Sequence, residues 1–321
     1  MGLCRRRVVL AAAVLASAGT LVLGCSSARP ASPARTASPA ETSSLAQATP
    51  APPDIVAAPV QVARTALGTV GYRVIGHGPA LVMITGFTAT MDDWAPYFVD
   101  ALAAHFRVVV FDNAGVGQTA PLAAPLTIPQ MAAQASALIS ALKLGRCDVL
   151  GWSMGGMIAQ SLAVDDPGQV RRLVLAATQP GTGKAAPVPS AAAAALGSGN
   201  PAAVLGVLFP TDQPAAINRY AAGILSYPGY YAVSPAVQAE QRAAILRWFA
   251  GADAAGRDVG QIQAPTLVAD GTQDALNPVS NDRLLAGLIP GARLVLYPDA
   301  GHAFLFQDAG SFVSELGSFL G

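Results

Sequence analysis

The sequence predicts an α/β protein: an eight-stranded, mostly parallel sheet with helices on both faces and a helical cap inserted between strands six and seven. Three observations predict it. After about Val60, short runs rich in β-branched and aliphatic residues alternate with amphipathic stretches, the pattern of a βαβ series. The runs are apolar enough to belong to a sheet buried by helices. An Ala-rich interval over residues 178–264 then separates two of them, and it is too long for a structureless loop in a compact domain.

Composition sets the frame. The 321 residues are 52% hydrophobic and 12% charged, which excludes a disordered chain. Nineteen basic residues balance nineteen acidic ones, and no basic cluster lies beyond the extreme N-terminus, so nucleic acid is not an expected partner. Cys4, Cys25 and Cys147 have no metal-ligand spacing and are too few for a disulfide framework, so no metal is expected.

Residues 1–24 form an expected export signal. Arg5, Arg6 and Arg7 precede an apolar run from Val8 to Leu23, short for a membrane span, that stops at Gly24 and Cys25. Val22-Leu23-Gly24-Cys25 resembles the lipobox of bacterial lipoproteins, which implies lipidation of Cys25, a membrane anchor and a cell-envelope location; plain secretion is the alternative. Residues 25–59, rich in Ala, Ser and Pro, read as a disordered tether.

The core is expected over residues 60–177 and 265–321. Its strands fall at Gln61 to Ala66, Gly71 to Ile75, Ala80 to Thr85 and Arg107 to Phe111, then Cys147 to Leu150, Arg172 to Ala176, Thr266 to Ala269 and Arg293 to Tyr297. Within the cap, residues 178–264, helix-like runs occur at Ala191 to Leu196, Ala202 to Leu208, Ala215 to Leu225 and Pro235 to Phe249.

Gly151-Trp152-Ser153-Met154-Gly155 fits G-x-S-x-G in its proper context: an apolar strand enters it and a helical run leaves it. The bland alternative is a Gly-rich turn whose serine only caps the helix. A nucleophilic serine needs a base, and the chain has three histidines. His77 and His105 fall at the edge where strands begin. His302 follows the last strand, at the carboxyl edge where Ser153 emerges and where α/β sheets place their sites. The acid should follow a strand at the same edge, and Asp274 does; Asp270 and Asp299 read as structural. Gly115-Val116-Gly117-Gln118-Thr119-Ala120 imitates a dinucleotide fingerprint, but Pro121 follows it and no ribose-binding acid occurs at the required distance.

From about Gln61 to Gly321 the chain resembles the α/β-hydrolase superfamily, whose nucleophile, acid, base order is that of Ser153, Asp274 and His302. Thr85-Gly86-Phe87 resembles the family's His-Gly-x, which implies that the backbone amides of Phe87 and Met154 form an oxyanion hole. Residues Asp112 to Thr119 resemble its D-x-R-G-x-G-x-S turn, with Ala114 in place of Arg. The resemblance implies a serine carboxylesterase or lipase-like hydrolase that uses no cofactor and acts on a small-molecule ester. Apolar cap residues, with Leu208, Phe209, Leu225 and Trp248 foremost, and Trp152 beside the serine, are expected to line a pocket for an apolar acyl group. A cofactor-free perhydrolase or haloperoxidase, an acyltransferase, or a non-catalytic surface-tethered lipid or partner binder are the alternatives.

Overall fold

The computed structural model describes residues 52–321. The expected export signal, Cys25 and most of the expected tether therefore lie outside the described residues. Ordered structure begins ahead of the expected boundary at residue 60: Ile55 is fully buried, and the Asp54 carboxylate accepts the amides of Val56 and Ala57 in a turn that seats it. One isoleucine among alanines and prolines is too weak a signal to stand out in composition.

The strands are β1 (Gln61–Thr65), β2 (Gly68–Ile75), β3 (Ala80–Ile84), β4 (Arg107–Phe111), β5 (Cys147–Trp152), β6 (Val170–Ala176), β7 (Thr266–Gly271) and β8 (Arg293–Tyr297). They form one sheet in the order β1-β2-β4-β3-β5-β6-β7-β8. β1 pairs antiparallel with β2 and β2 antiparallel with β4, and every later pairing is parallel. β2 starts three residues before the expected Gly71, because Gly68 pairs with Thr65 across a tight hairpin.

Side chains alternate across the sheet as a period of two requires. Leu81, Met83, Leu150, Val174 and Leu267 face one layer; Val82, Ile84, Val149, Leu175 and Val268 face the other. The first layer is closed by α1 (Pro96–Ala103) and the C-terminal helix, Ala309–Leu320, through Phe98, Leu102, Phe312 and Leu316. The second is closed by α2 (Ile128–Ala141) and α3 (Met154–Asp165), through Leu138, Ile139, Ile158 and Leu162. α2 begins with a capping box between Thr127 and Gln130, two orphan amides being satisfied at its start.

Between β6 and β7 come α4 (Ser190–Leu196), α5 (Pro201–Leu208), α6 (Pro214–Leu225), α7 (Pro235–Phe249) and a short α8 (Ala254–Arg257) that the sequence did not signal. Proline opens α5, α6 and α7, where its missing N–H has no helical partner to lose. α9 (Val279–Leu288) follows β7; α10 (Phe304–Gln307) and α11 (Ala309–Leu320) end the chain.

Candidate active site

Four loops leave the carboxyl ends of β3, β5, β7 and β8 and carry Gly86-Phe87, Ser153, Asp274 and His302 in turn. Ser153 sits at φ 58 and ψ −120, a backbone state that costs a non-glycine residue about 1–3 kcal/mol. Its surroundings hold it there. The Ser153 amide donates to the Ala176 carbonyl at 2.9 Å, and its own carbonyl accepts the Thr178 hydroxyl at 2.8 Å and the Gly156 amide at 2.9 Å. Gly155 packs so closely on β3 that a Cβ there would collide with the Ile84 and Thr85 carbonyl oxygens. Gly86 faces the serine itself: a Cβ on it would stand 3.2 Å from Ser153 Cβ and 3.7 Å from its Oγ.

His302 Nδ1 lies 2.7 Å from Asp274 Oδ2, and both side chains are buried. The other carboxylate oxygen, Oδ1, accepts the amides of Leu276 at 2.6 Å and Asn277 at 2.9 Å, so the acid is oriented by its own loop. Trp152, the residue before the serine, donates its indole N–H to the His302 carbonyl at 3.0 Å, which ties the histidine loop to the turn that carries Ser153. Among the described residues no hydrogen bond joins Ser153 Oγ to the imidazole; such bonds tighten only when substrate is bound in many hydrolytic sites. Neither the Phe87 nor the Met154 amide has a protein acceptor among the described residues, and Met154 opens the twelve-residue α3, whose positive dipole end points toward the turn.

The other candidates are placed elsewhere. His77 and His105 are exposed at the opposite edge, where β3 and β4 begin. Asp270 is fully buried against Asn277 and Asp282; Asp299 accepts from Gln273 at the surface. Burial drives the Asp270 and Asp282 carboxyls well above the ordinary carboxylate range, each beside the other and bonded to Asn277. Of the residues expected to line a pocket, Leu208 and Phe209 are buried against the histidine loop, where the Leu208 carbonyl accepts the Ala303 amide at 2.8 Å. Trp152 backs that loop, packed on Trp94 and Phe306. Trp248 is sealed against Gly181 and Gly256 with its indole on the Gln179 carbonyl, and Leu225 is 52% exposed at the end of α6.

Sequence reading missed three supports of the site. Asn277 Nδ2 is within hydrogen-bond distance of Asp270, Asp282 and the Thr178 carbonyl, Asn113 Nδ2 holds the Thr85 carbonyl at 3.1 Å, and Gln241 of α7 accepts the Thr88 amide at 3.1 Å. Only Asn113, inside a recognisable turn, had a local signal.

Comparison with known proteins places these features. The profile of the alpha/beta hydrolase fold family matches residues 79–309. A poly(3-hydroxyalkanoate) depolymerase of Ectopseudomonas oleovorans is 33% identical over 257 residues, covering 76% of this chain and 85% of its own. An alpha/beta hydrolase fold protein from Chitinophaga pinensis superposes with a TM-score of 0.72 at 27% identity, covering 83% of this chain and 98% of its own. An enol-lactonase from Burkholderia xenovorans LB400 does so at 0.64 and 26% identity, covering 81% and 99%.

Proposed function

Because the chain belongs to the α/β-hydrolase family and is an esterase-like hydrolase, we propose that it cleaves carboxylic esters of apolar acyl groups through Ser153, His302 and Asp274. The observation that carries this reading is the 2.7 Å bond from His302 to Asp274, on a loop tied by Trp152 to a serine held in a strained turn.

Ser153 Oγ attacks the ester carbonyl while His302 Nε2 takes its proton. The Asp274 carboxylate holds the proton on Nδ1 and stabilises the imidazolium that forms. Charge gathers on the former carbonyl oxygen, where the Phe87 and Met154 amides receive it; one such donor is worth about 2.7–4 kcal/mol in related chemistry. The imidazolium then protonates the leaving alcohol, and water repeats the sequence on the acyl-serine. Gly86 leaves the space beside Ser153 in which the tetrahedral centre forms. Phe209, Tyr220, Phe306 and Trp152 form a continuous buried aromatic cluster that ends at His302, so the surroundings of the base are apolar, in keeping with an apolar acyl group. The substrates named for two relatives agree: poly(3-hydroxyalkanoate) and an enol lactone are both carboxylic esters, whereas other relatives are named putative carbamate hydrolases.

The test uses p-nitrophenyl esters graded from acetate to laurate together with a fluorophosphonate probe. Wild type should turn over the esters and take the label, and Ser153→Ala should lose both by several orders of magnitude while remaining folded. A labelled or fully active Ser153→Ala protein ends the assignment.

The N-terminal segment is proposed to place this activity at the cell envelope, with Cys25 as the lipid-bearing residue. Durable attachment needs two or more acyl chains. Cys25→Ser should move the protein from the membrane fraction to the soluble one, whereas a wild type of unmodified mass with another N-terminus means plain secretion.

A further inference from the structure

Gln241 lies in the middle of α7, in the cap, and is fully buried. Its Oε1 accepts the Thr88 amide at 3.1 Å, across 153 positions of sequence. Its Nε2 has no hydrogen-bond partner among the described residues. Burying an amide with a donor unsatisfied is destabilising relative to an apolar side chain of similar size. Stability alone therefore does not account for a glutamine here. What the side chain does accomplish is a single bond to the loop that follows β3.

That loop has little else to define it. Asn113 holds the Thr85 carbonyl at its start, and Thr90 begins a capped turn at its end. Between them Thr88 adopts φ 59, a left-handed state that a β-branched residue leaves unless something retains it. Fixing the Thr88 N–H fixes the plane of the peptide between Phe87 and Thr88. With Thr85 fixed on the other side, both peptides flanking the Gly86–Phe87 unit are held, which narrows the directions in which the Phe87 N–H can point. The same helix adds a second contact, since the Arg242 guanidinium lies 5.6 Å from the centre of the Phe87 ring.

We infer that Gln241 is a positioning residue: through the Thr88 amide, the cap sets the aim of the Phe87 donor in the oxyanion hole. The inference rests on the esterase reading for its consequence in catalysis, but the tether itself is independent of that reading. It makes docking of α7 and competence of the hole one condition.

Gln241→Leu removes the acceptor and the orphan donor together. Gln241→Glu keeps an oxygen for Thr88 and, once ionised, sets a negative charge close to the hole. For each variant kcat and KM on a short p-nitrophenyl ester, Ki for an aliphatic trifluoromethyl ketone, Tm, and amide hydrogen exchange over residues 85–90 would be measured. Gln241→Leu should lower kcat roughly ten- to a hundredfold and raise Ki by the same factor, because one donor is misaimed rather than deleted. KM should stay within about twofold and Tm should change little, the removed orphan donor offsetting the Thr88 N–H left unpaired, while exchange at Thr88 accelerates. Gln241→Glu should keep most of the wild-type kcat at pH 6, where burial holds the carboxyl neutral, and lose ground to wild type as pH rises.

Unchanged kcat, Ki and exchange in Gln241→Leu would overturn the inference. So would equal loss in both variants at pH 6, or a kcat loss that travels with a fall in Tm or a failure to fold, since either marks a merely structural glutamine. If wild type hydrolyses no ester, the esterase reading fails, and exchange at Thr88 alone decides the tether.

Discussion

The turn that carries Ser153 and the loops that carry Asp274 and His302 are held by different physics. At Ser153 the constraint is exclusion: Gly155 lies against the carbonyls at the end of β3, while hydrogen bonds from its own turn and from the end of β6 hold the backbone. At Asp274 the constraint is a buried polar network. Asn277 gathers Asp270, Asp282 and the Thr178 carbonyl behind the acid loop, and Asn281 extends the network to Gln179 and Ala186. Exclusion gives a rigid turn whose failure is steric. A polar network gives a loop whose failure is electrostatic, and it depends on pH.

Four changes probe the contrast. The largest effect is expected from Asp274→Asn, which keeps an oxygen for the Leu276 and Asn277 amides but loses the charge facing Nδ1. Loss of the correct tautomer lowers kcat by about 10⁴, or ~5.5 kcal/mol, with Tm near wild type. If Tm collapses as well, the acid loop is held as sterically as the elbow.

Gly155→Ala should do the reverse. Its Cβ meets backbone atoms that cannot give way, so unfolding in urea should show a loss of about 3 kcal/mol, with activity falling because the turn is displaced. A variant as stable as wild type would remove exclusion as the cause.

The third change concerns pH. In the folded chain burial pushes the Asp282 carboxyl up to about 8, while an unfolded aspartate releases its proton near 3.9. Unfolding therefore releases a proton at intermediate pH, and stability declines as pH rises until the folded state also loses that proton. Asp93 and Asp112, raised by burial to about 6, act below that value, so the interval from pH 6 to 8 isolates the network behind Asp274. Asp282→Asn should flatten the fall of the urea midpoint across that interval; an unchanged slope would place the proton elsewhere.

The smallest effect is expected from Trp152→Phe, which deletes one hydrogen bond between the two regions and keeps most of the packing. About 1 kcal/mol of stability and a severalfold loss in kcat should follow. No change in kcat would mean that the histidine loop does not need the nucleophile turn to hold it.

The same contrast explains what was legible in the sequence. Exclusion compresses its requirements into neighbouring residues, so Gly151 to Gly155 could be recognised as a turn between strand and helix. His302 could be singled out because His77 and His105 fall where strands begin. Strand identities were legible from apolar runs, whereas the ends of β2, β5 and β7 were read short, since Gly68, Gly151 and Gly271 lack the side chains that mark a strand. The polar supports were not legible. Asn277 meets Thr178 across 99 positions and Gln241 meets Thr88 across 153, and neither partner carries a residue type that signals the other. The cap helices were visible in composition, but the direction of each apolar side chain was not: Leu225 and Trp248 share an apolar character and differ from half exposed to fully buried.

The bond from the Ala303 amide to the Leu208 carbonyl has a further consequence. The last turn of α5 and the residue after His302 are mechanically one piece. A displacement of α5 large enough to break that bond removes one restraint on the histidine loop, leaving the Trp152 indole on the His302 carbonyl and Asp274 on Nδ1. Order in the histidine loop and the seating of the cap are therefore coupled through one backbone bond.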